Sequence, residues 1–250
     1  DVAPSRGLGD VYKRQLVYGK TAMKGRNALE AGWNPWHGCH KLSPGCQNCY
    51  VYRIDARHER DASIVKKTGD FSLPLRHARD GGYKLAPGTM VYTCFTSDFL
   101  LADADAWRPE AWAMMRERAD IRFLFITKRI DRLAQTLPPD WGEGYPNVVI
   151  GCTVENQDRA DFRLPIFNKL PIKHKNIICQ PLLEQVDLAP YLNQIELVVA
   201  GGESNSCARP LNYEWILSIR EQCIRSKVHF EFRQCGTNFI KDLSLIHISE

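Results

Sequence analysis

Six short apolar runs, each followed by a polar cluster and then by a helical or loop stretch, constrain this chain more than any other feature. The runs are Met90–Phe95, Arg122–Ile126, Asn147–Cys152, Asn176–Cys179, Leu197–Ala200 and His229–Phe232. Near-continuous apolar strands of this length are typical of a parallel sheet covered by other elements. Helical patterns lie between them, at Pro109–Ala119, Asp131–Leu137, Gln157–Asn168 and Asn212–Ser226. This alternation predicts an α/β fold, either a doubly wound sheet or a (β/α) barrel with parallel strands and outer helices.

Polar side chains follow each predicted strand. The clusters are Thr96-Ser97-Asp98, Thr127-Lys128-Arg129, Thr153-Val154-Glu155-Asn156, Gln180-Pro181-Leu182, Gly201-Gly202-Glu203-Ser204 and Arg233-Gln234-Cys235-Gly236. In a barrel the carboxyl ends of all strands face one mouth, which is where active sites lie. The six clusters therefore predict a polar cavity at that mouth.

Cysteine count and charge narrow the class of protein. The 250 residues contain nine cysteines, and an odd number without a recognisable signal peptide argues against a disulfide framework. We therefore expect a reducing, cytoplasmic location. No apolar run approaches the ~18 residues of a membrane span. The net charge of +4 is modest and the basic residues are scattered, which does not indicate a dedicated nucleic-acid binder.

The two ends of the chain can be encoded by complementary DNA sequences. One DNA encoding of Leu243–Glu250 (LSLIHISE) is the reverse complement of an encoding of Leu8–Gln15 (LGDVYKRQ). Unrelated protein termini are not expected to show this, whereas read-through of a sequencing adapter would produce it. We therefore predict non-native tails at residues 1–15 and 243–250, both poorly packed, and one domain over residues 16–242.

A loop rich in cysteine carries the strongest chemical signal. Gly32–Tyr50 reads GWNPWHGCHKLSPGCQNCY, which places Cys39, Cys46 and Cys49 in a C-x6-C-x2-C pattern. Thiolates hold iron–sulfur clusters, usually one per iron, so three cysteines on a four-iron cluster would leave one iron open for S-adenosylmethionine. The competing interpretation is structural zinc, with His37 or His40 as a fourth ligand.

The other six cysteines are expected to have different roles. Four lie in apolar strands or on a helix stripe and are predicted to pack in the core: Cys94, Cys152, Cys179 and Cys223. Cys207 and Cys235 lie in loops near the predicted mouth, where either could supply a fourth ligand.

At this point the sequence resembles a known group, the phage-associated three-cysteine-motif family of unknown function, a branch of the radical S-adenosylmethionine superfamily. The matching stretches are WNPWHGC with SPGCQNCY, FTSDF, FITKR, NVVIGCTVEN, CQPLL, VVAGGES with ARPL, and FRQCG. The resemblance implies a partial (β/α) barrel, a [4Fe-4S] cluster, S-adenosylmethionine as co-substrate and an external electron donor. It implies no particular reaction.

The chain departs from the patterns of that group in several places. The usual superfamily spacing is C-x3-C-x2-C, and here Tyr50 follows the last cysteine where an aromatic residue usually precedes it. Gln180 stands where the family commonly has an acid, and Cys235 where it commonly has Trp. The superfamily also has a Gly-Gly-Glu motif near its second strand, but Gly201-Gly202-Glu203 follows a later strand, so that role is not transferred.

Candidate contacts to the co-substrate come from the strand ends. Asp98, with Ser97 beside it, is the candidate for the amine of S-adenosylmethionine, and Lys128 or Arg129 for its carboxylate. In the alternative interpretation Asp98 caps a helix and the two cations are simply solvated.

The later strand ends suggest a second set of contacts. Glu155 and Asn156 suit the ribose hydroxyls. Gly201 and Gly202 allow close backbone approach, with Glu203, to the adenine or the substrate. Glu203 too has an alternative role as a helix cap.

Three functions compete at this stage. The first is a radical S-adenosylmethionine enzyme that generates a 5′-deoxyadenosyl radical and acts on an unidentified substrate, a nucleic acid or nucleotide being one candidate. The second is a structural-zinc module that binds nucleic acid or protein without catalysis. The third, a metal hydrolase with cysteines as staples, lacks a His-rich open metal site of the usual spacing.

Overall fold

A computed structural model describes residues 30–242 and 244–247. The strands are β1 Glu30–Trp33, β2 Trp36–His37, β3 Lys66–Lys67, β4 Met90–Thr93, β5 Arg122–Thr127, β6 Val148–Thr153, β7 His174–Cys179, β8 Leu197–Gly201, β9 Leu211–Asn212, β10 His229–Gln234, β11 Asn238–Lys241 and β12 Ser244–His247. The helices are α1 Tyr50–Arg57, α2 Arg108–Glu117, α3 Leu133–Thr136, α4 Gln157–Lys169 and α5 Tyr213–Ser226. Short 3-10 turns occur at Pro44–Cys46, Leu73–Leu75, Ala102–Ala104, Ile130–Arg132 and Ala189–Tyr191.

Seven parallel strands form the main sheet, in the order β1-β4-β5-β6-β7-β8-β10. The sheet curls into a half-barrel flanked by helices. The predicted α/β class, with parallel strands and outer helices, is therefore confirmed. All six predicted strands are present, with their ends displaced by at most a few residues.

The sequence analysis missed the first strand of the sheet. Glu30–Trp33 pairs in parallel with Met90–Thr93, so the run that begins at Met90 is the second strand along this edge. The four residues EAGW contain Ala and Gly, which have low strand propensity. The strand is established by its partner β4 and not by its own pattern.

One helix prediction also needs correction. The segment Asp131–Leu137, expected to be a single helix, is a 3-10 turn followed by the four residues of α3. Leu137 is extended, with ψ 143°, because the residue before a proline is disfavoured in the helical region.

The face of the sheet toward the helices is a continuous apolar core. Phe123, Phe125 and Ile150 are fully buried, and Trp112 of α2 packs edge-on against Phe125 with ring centroids 5.9 Å apart. Burying a side chain of this kind contributes about 1.5–3 kcal/mol. The four cysteines predicted for the core are at most 1% exposed, which confirms that prediction for Cys94, Cys152, Cys179 and Cys223. Trp33 and Trp36, which stand near the cysteines in sequence, are fully buried core residues.

The two predicted non-native tails stay a prediction. Leu8–Gln15 lies outside the described residues. In the other tail, Ser244–His247 pairs antiparallel with Asn238–Lys241, and the side chain of Leu245 is 63% exposed.

None of the described helices is both long and apolar enough to span a membrane.

Candidate functional site

The cysteine-bearing loop, residues 38–49, lies across the carboxyl ends of the main-sheet strands. Gly38 N–H donates to Thr96 O (3.2 Å), beyond the end of β4, and Cys39 N–H donates to Ala62 O (2.8 Å). The 3-10 turn Pro44–Cys46 follows, and Cys49 immediately precedes helix α1. The three cysteine side chains are all partly buried. The Arg129 side chain, just beyond the end of β5, contacts Cys39, so this cysteine lies at the predicted mouth.

The three thiols are electrostatic neighbours. The pKa of Cys39 is raised from 9.0 to about 12, chiefly by burial and also by the charges of Asp98, Cys46 and Cys49, while Arg129 partly offsets these effects. The Arg129 guanidinium supplies the nearest positive charge, with Nη1 3.8 Å from Cys39 Sγ. A metal centre bound here would have to displace the Cys39 proton, since thiolates and not thiols are metal ligands.

The described residues contain no preformed site for a single metal ion. Within residues 30–242 and 244–247, no group of three or more His, Cys, Asp or Glu side chains is suitably grouped to hold one. The zinc interpretation needs His37 or His40 as a fourth ligand, and both are engaged with carboxylates: His37 Nε2 lies 2.5 Å from Asp55 Oδ2, and His40 Nε2 lies 3.1 Å from Asp103 Oδ1.

Asp98 and its neighbours support the first part of the loop. The Asp98 carboxylate is 6% exposed and accepts hydrogen bonds from the Thr127 hydroxyl (2.7 Å) and the Lys128 N–H (3.0 Å), and it pairs with Arg129 Nη1 (3.1 Å). Arg129 Nη2 then donates to His40 O (2.6 Å), and the Ser97 hydroxyl donates to Gly38 O. Asp98 therefore holds the loop through Arg129, and Ser97 holds it directly.

Glu155 supports the middle of the loop. Its side chain is fully buried, and Oε1 accepts from Gly45 N–H (3.0 Å) while Oε2 pairs with Arg163 Nη1 (2.7 Å). Burial alone would raise the pKa of Glu155, but the Arg163 charge, the Ser43 hydroxyl, the Lys128 charge and the Gly45 N–H together outweigh it and hold that pKa below its usual value. A Cβ on Gly45 would lie 3.1 Å from Glu155 Cδ, so the glycine permits this close approach.

Glu203 supports the last part of the loop. Oε2 accepts from Asn48 Nδ2 (3.0 Å), between Cys46 and Cys49, and from Arg209 N–H (3.0 Å). Burial alone would raise the pKa of Glu203; its hydrogen bonds and ion pair with Arg209 and its bond to Asn48 lower it overall. Asn48 Nδ2 also donates to Cys207 O (2.9 Å), which brings the exposed Cys207 loop beside the cysteines.

The other predicted site residues have separate positions. The Asn156 side chain accepts from Arg159 N–H (3.0 Å) and caps helix α4. Gly201 lies between Gln180 and Gln234, and Gly202 passes so close to Cys235 that a Cβ would be 2.4 Å from its carbonyl oxygen. The partly buried Lys128 side chain makes no ion pair with any described residue.

Sequence reasoning missed the partners of these acids. Asn48, Arg163 and Arg209 fix Glu155 and Glu203, and Tyr52 donates its hydroxyl hydrogen to Cys39 O. The position of Asn48 between two of the cysteines was the one available signal. Arg163 lies outside the strand-end clusters and gave none, and Arg209 lies in the ARPL stretch of the resemblance, which assigned it no role.

Two cavities elsewhere carry no comparable chemistry. One of about 400 Å³ is lined by Asp105, Arg108 and Arg132 among others, and one of about 350 Å³ lies beside Lys227. Neither is lined by a residue of the cysteine loop. In the larger cavity Asp105 pairs with both arginines, so neither presents an unpaired charge.

Comparison with known proteins gives one match. Neither a curated protein nor a solved structure shows significant similarity to the chain. The profile of a family described as a protein of unknown function (DUF5131) matches residues 27–246, which spans the half-barrel, the cysteine loop and four residues of the predicted tail at 243–250. The chain therefore belongs to the DUF5131 family.

Proposed function

We propose that this chain is a radical S-adenosylmethionine enzyme in which Cys39, Cys46 and Cys49 hold a [4Fe-4S] cluster. One observation carries the proposal: three neighbouring thiols lie on a loop that buried acids from three strand ends hold over the mouth of a parallel half-barrel. Strand-end mouths are the usual active-site position in such folds. The radical S-adenosylmethionine relationship and the phage association remain predictions.

The donor set fits a cluster better than a single ion. Each thiolate binds a different iron in a cluster, so the sulfurs need not converge as closely as four ligands on one zinc ion. Cys46 and Cys49 act electrostatically on Cys39, so the three thiols are neighbours. Arg129, beside Cys39, would offset part of the negative charge of a thiolate-bound cluster.

When bound, the cluster and S-adenosylmethionine would supply a 5′-deoxyadenosyl radical by reductive cleavage, with the electron coming from an external donor. The three cysteines act as ligands, and Glu155 and Glu203 orient the loop that carries them. Of the two cations considered for the co-substrate carboxylate, Arg129 lies beside Cys39, so we assign that contact to Arg129. The free thiols of all nine cysteines are compatible with a reducing, cytoplasmic location.

Anaerobic reconstitution with iron and sulfide tests the proposal. The wild type is expected to take up iron and sulfide, turn brown and lose colour in air. The control Cys223→Ala, which alters a buried cysteine on α5, should do the same. Cys46→Ala is expected to lose most of the iron and sulfide. Dithionite should then drive release of 5′-deoxyadenosine from S-adenosylmethionine by the wild type and by Cys223→Ala, but not by Cys46→Ala. A colourless protein that binds one zinc would refute the proposal and favour the structural-zinc module.

A further inference from the structure

Beneath the cysteine loop, the concave face of the half-barrel carries a small apolar floor. A Cβ placed on Gly151 would lie 2.9 Å from both Ile126 Cγ2 and Ile178 Cγ1. The two isoleucines, on β5 and β7, therefore meet over the glycine of β6. The opposite face, which includes Cys152, packs against the helices, so the floor faces the inside of the half-barrel.

Polar side chains surround this floor. Residues two apart on a strand share a face, which places Thr153 beyond Gly151 and Asn176 beside Ile178. Lys128 directly follows β5, and its charge acts on Glu155, two residues beyond Thr153, so it lies at the same end of the floor. For Gln180 the placement is independent, because its Cδ lies 3.3 Å from the Cβ position of Gly201 on the neighbouring strand. The floor is thus bordered by one cation, one hydroxyl and two amides.

These polar groups have no partner within the part of the chain that the structure describes. Thr153 Oγ1 is buried, on a residue that is 1% exposed, and makes no hydrogen bond. Lys128 Nζ makes no ion pair with a described residue, and the amides of Asn176 and Gln180 make no side-chain hydrogen bond there. Buried polar groups are normally paired, so the unpaired Thr153 hydroxyl beside an apolar floor indicates a ligand site, and the partly exposed Lys128 and Gln180 side chains are accessible to that ligand.

The floor adjoins the proposed cluster site through two strands. Lys128 directly precedes Arg129, which contacts Cys39, and Thr153 lies two residues before Glu155, which binds Gly45. A ligand on the floor would therefore lie between the cysteine loop and the body of the sheet.

We propose that this floor binds a nucleotide as the substrate. The planar base would pack on Ile126, Gly151 and Ile178, and the amides of Asn176 and Gln180 would donate to and accept from its edge. The Lys128 ammonium would pair with the phosphate, as lysine does in other phosphate sites.

Charge favours a nucleotide over S-adenosylmethionine and over a nucleic acid. S-adenosylmethionine carries a sulfonium, an ammonium and one carboxylate, so its net charge is positive, and the Lys128 ammonium suits a nucleotide phosphate better than this co-substrate. A net charge of +4 with no long basic run suits a single nucleotide better than a polyanion. The assignment as substrate rests on the proposed function, whereas the binding itself requires no cluster.

Calorimetric titration of the metal-free protein with AMP, GMP, CMP and UMP tests the assignment. We expect at least one nucleotide to bind and Lys128→Met to weaken it at least tenfold, a loss of about 1.4 kcal/mol. The exposed α4 residue gives the matched control Lys169→Met, which should bind as the wild type does. For the corresponding nucleoside, Lys128→Met should have no effect because the phosphate is missing.

A second variant protects the test against misfolding. Thr153→Val removes the unpartnered hydroxyl at nearly constant shape, so it should keep the thermal transition of the wild type and weaken nucleotide binding. The assignment is overturned if no nucleotide binds, if Lys128→Met binds like the wild type, or if S-adenosylmethionine competes for the same site. Failure of iron loading with nucleotide binding intact would instead remove only the proposed radical chemistry.

Discussion

The buried pair Glu155–Arg163 offers the sharpest test of how the cysteine loop is held. Both side chains are at most 1% exposed, and Oε2 and Nη1 are 2.7 Å apart. Glu155→Gln keeps the shape and an acceptor for Gly45 N–H, but leaves the Arg163 charge buried without its counterion. Removing one partner of such a pair typically costs about 3–5 kcal/mol. We therefore expect the free energy of unfolding to fall by about that amount.

A double-mutant cycle separates the cost of leaving the buried Arg163 charge unpaired from the cost of lost packing. Replacing both members of a buried pair by groups of similar volume is often nearly neutral, so Glu155→Gln with Arg163→Met should be more stable than Glu155→Gln alone. The control is Glu221→Gln on α5, where the Arg225–Glu221 pair is 79% and 62% exposed. That change should cost about 0.5 kcal/mol or less. Urea unfolding of the metal-free protein measures the wild type, Glu155→Gln, Arg163→Met, the double variant and Glu221→Gln.

The pH dependence has a definite sign. The pKa of Glu155 is lowered from 4.5 in the folded protein, so its ionised form contributes stability above the unfolded-state pKa and loses that contribution as pH falls through the folded-state pKa. The difference between wild type and Glu155→Gln should be constant at neutral pH and shrink only below about pH 4. If Glu155→Gln is no more destabilising than Glu221→Gln at pH 7, the pair does not hold the loop and the reasoning fails.

Three further predictions concern the loop and its surroundings. Gly38→Ala should lower the free energy of unfolding by more than about 1 kcal/mol, because Gly38 has φ +95° and a Cβ would lie 2.5 Å from Ile64 O. Chemical denaturation measures this change, and a variant as stable as the wild type would contradict it. Glu203→Ala should speed alkylation of Cys46 and Cys49 in the metal-free protein, because Asn48 loses one of its two acceptors and keeps only Cys207 O. Peptide mass spectrometry can use the buried Cys179 as the unchanged reference, and equal rates would show that Glu203 does not hold this part of the loop. Asn156→Ala should cost about 1 kcal/mol by removing the cap of α4, with iron uptake unchanged; loss of iron in a folded variant would instead indicate a role at the site.

The local pattern of the sequence was sufficient for most of the fold. The six runs became six parallel strands because a buried parallel strand requires little more than a short apolar segment bounded by polar residues. The core cysteines were predictable for the same reason, since Cys152 and Cys179 lie within such runs. The short strand Glu30–Trp33 was not predictable, because pairing with Met90–Thr93 stabilises a segment that has little strand propensity of its own.

The sequence also identified the loop of Cys39, Cys46 and Cys49, and the strand ends over which it lies. What each strand-end residue does was decided by tertiary structure alone. Asp98, Glu155 and Glu203 look alike in sequence as free carboxylates at a mouth, but the folded chain pairs each with a cation and binds it to the loop. Asn48 reaches Glu203 across 155 residues and Gly45 reaches Glu155 across 110. Contacts of that separation leave no local periodicity, because they depend on where the strands meet in space and not on the order of side chains along any one of them.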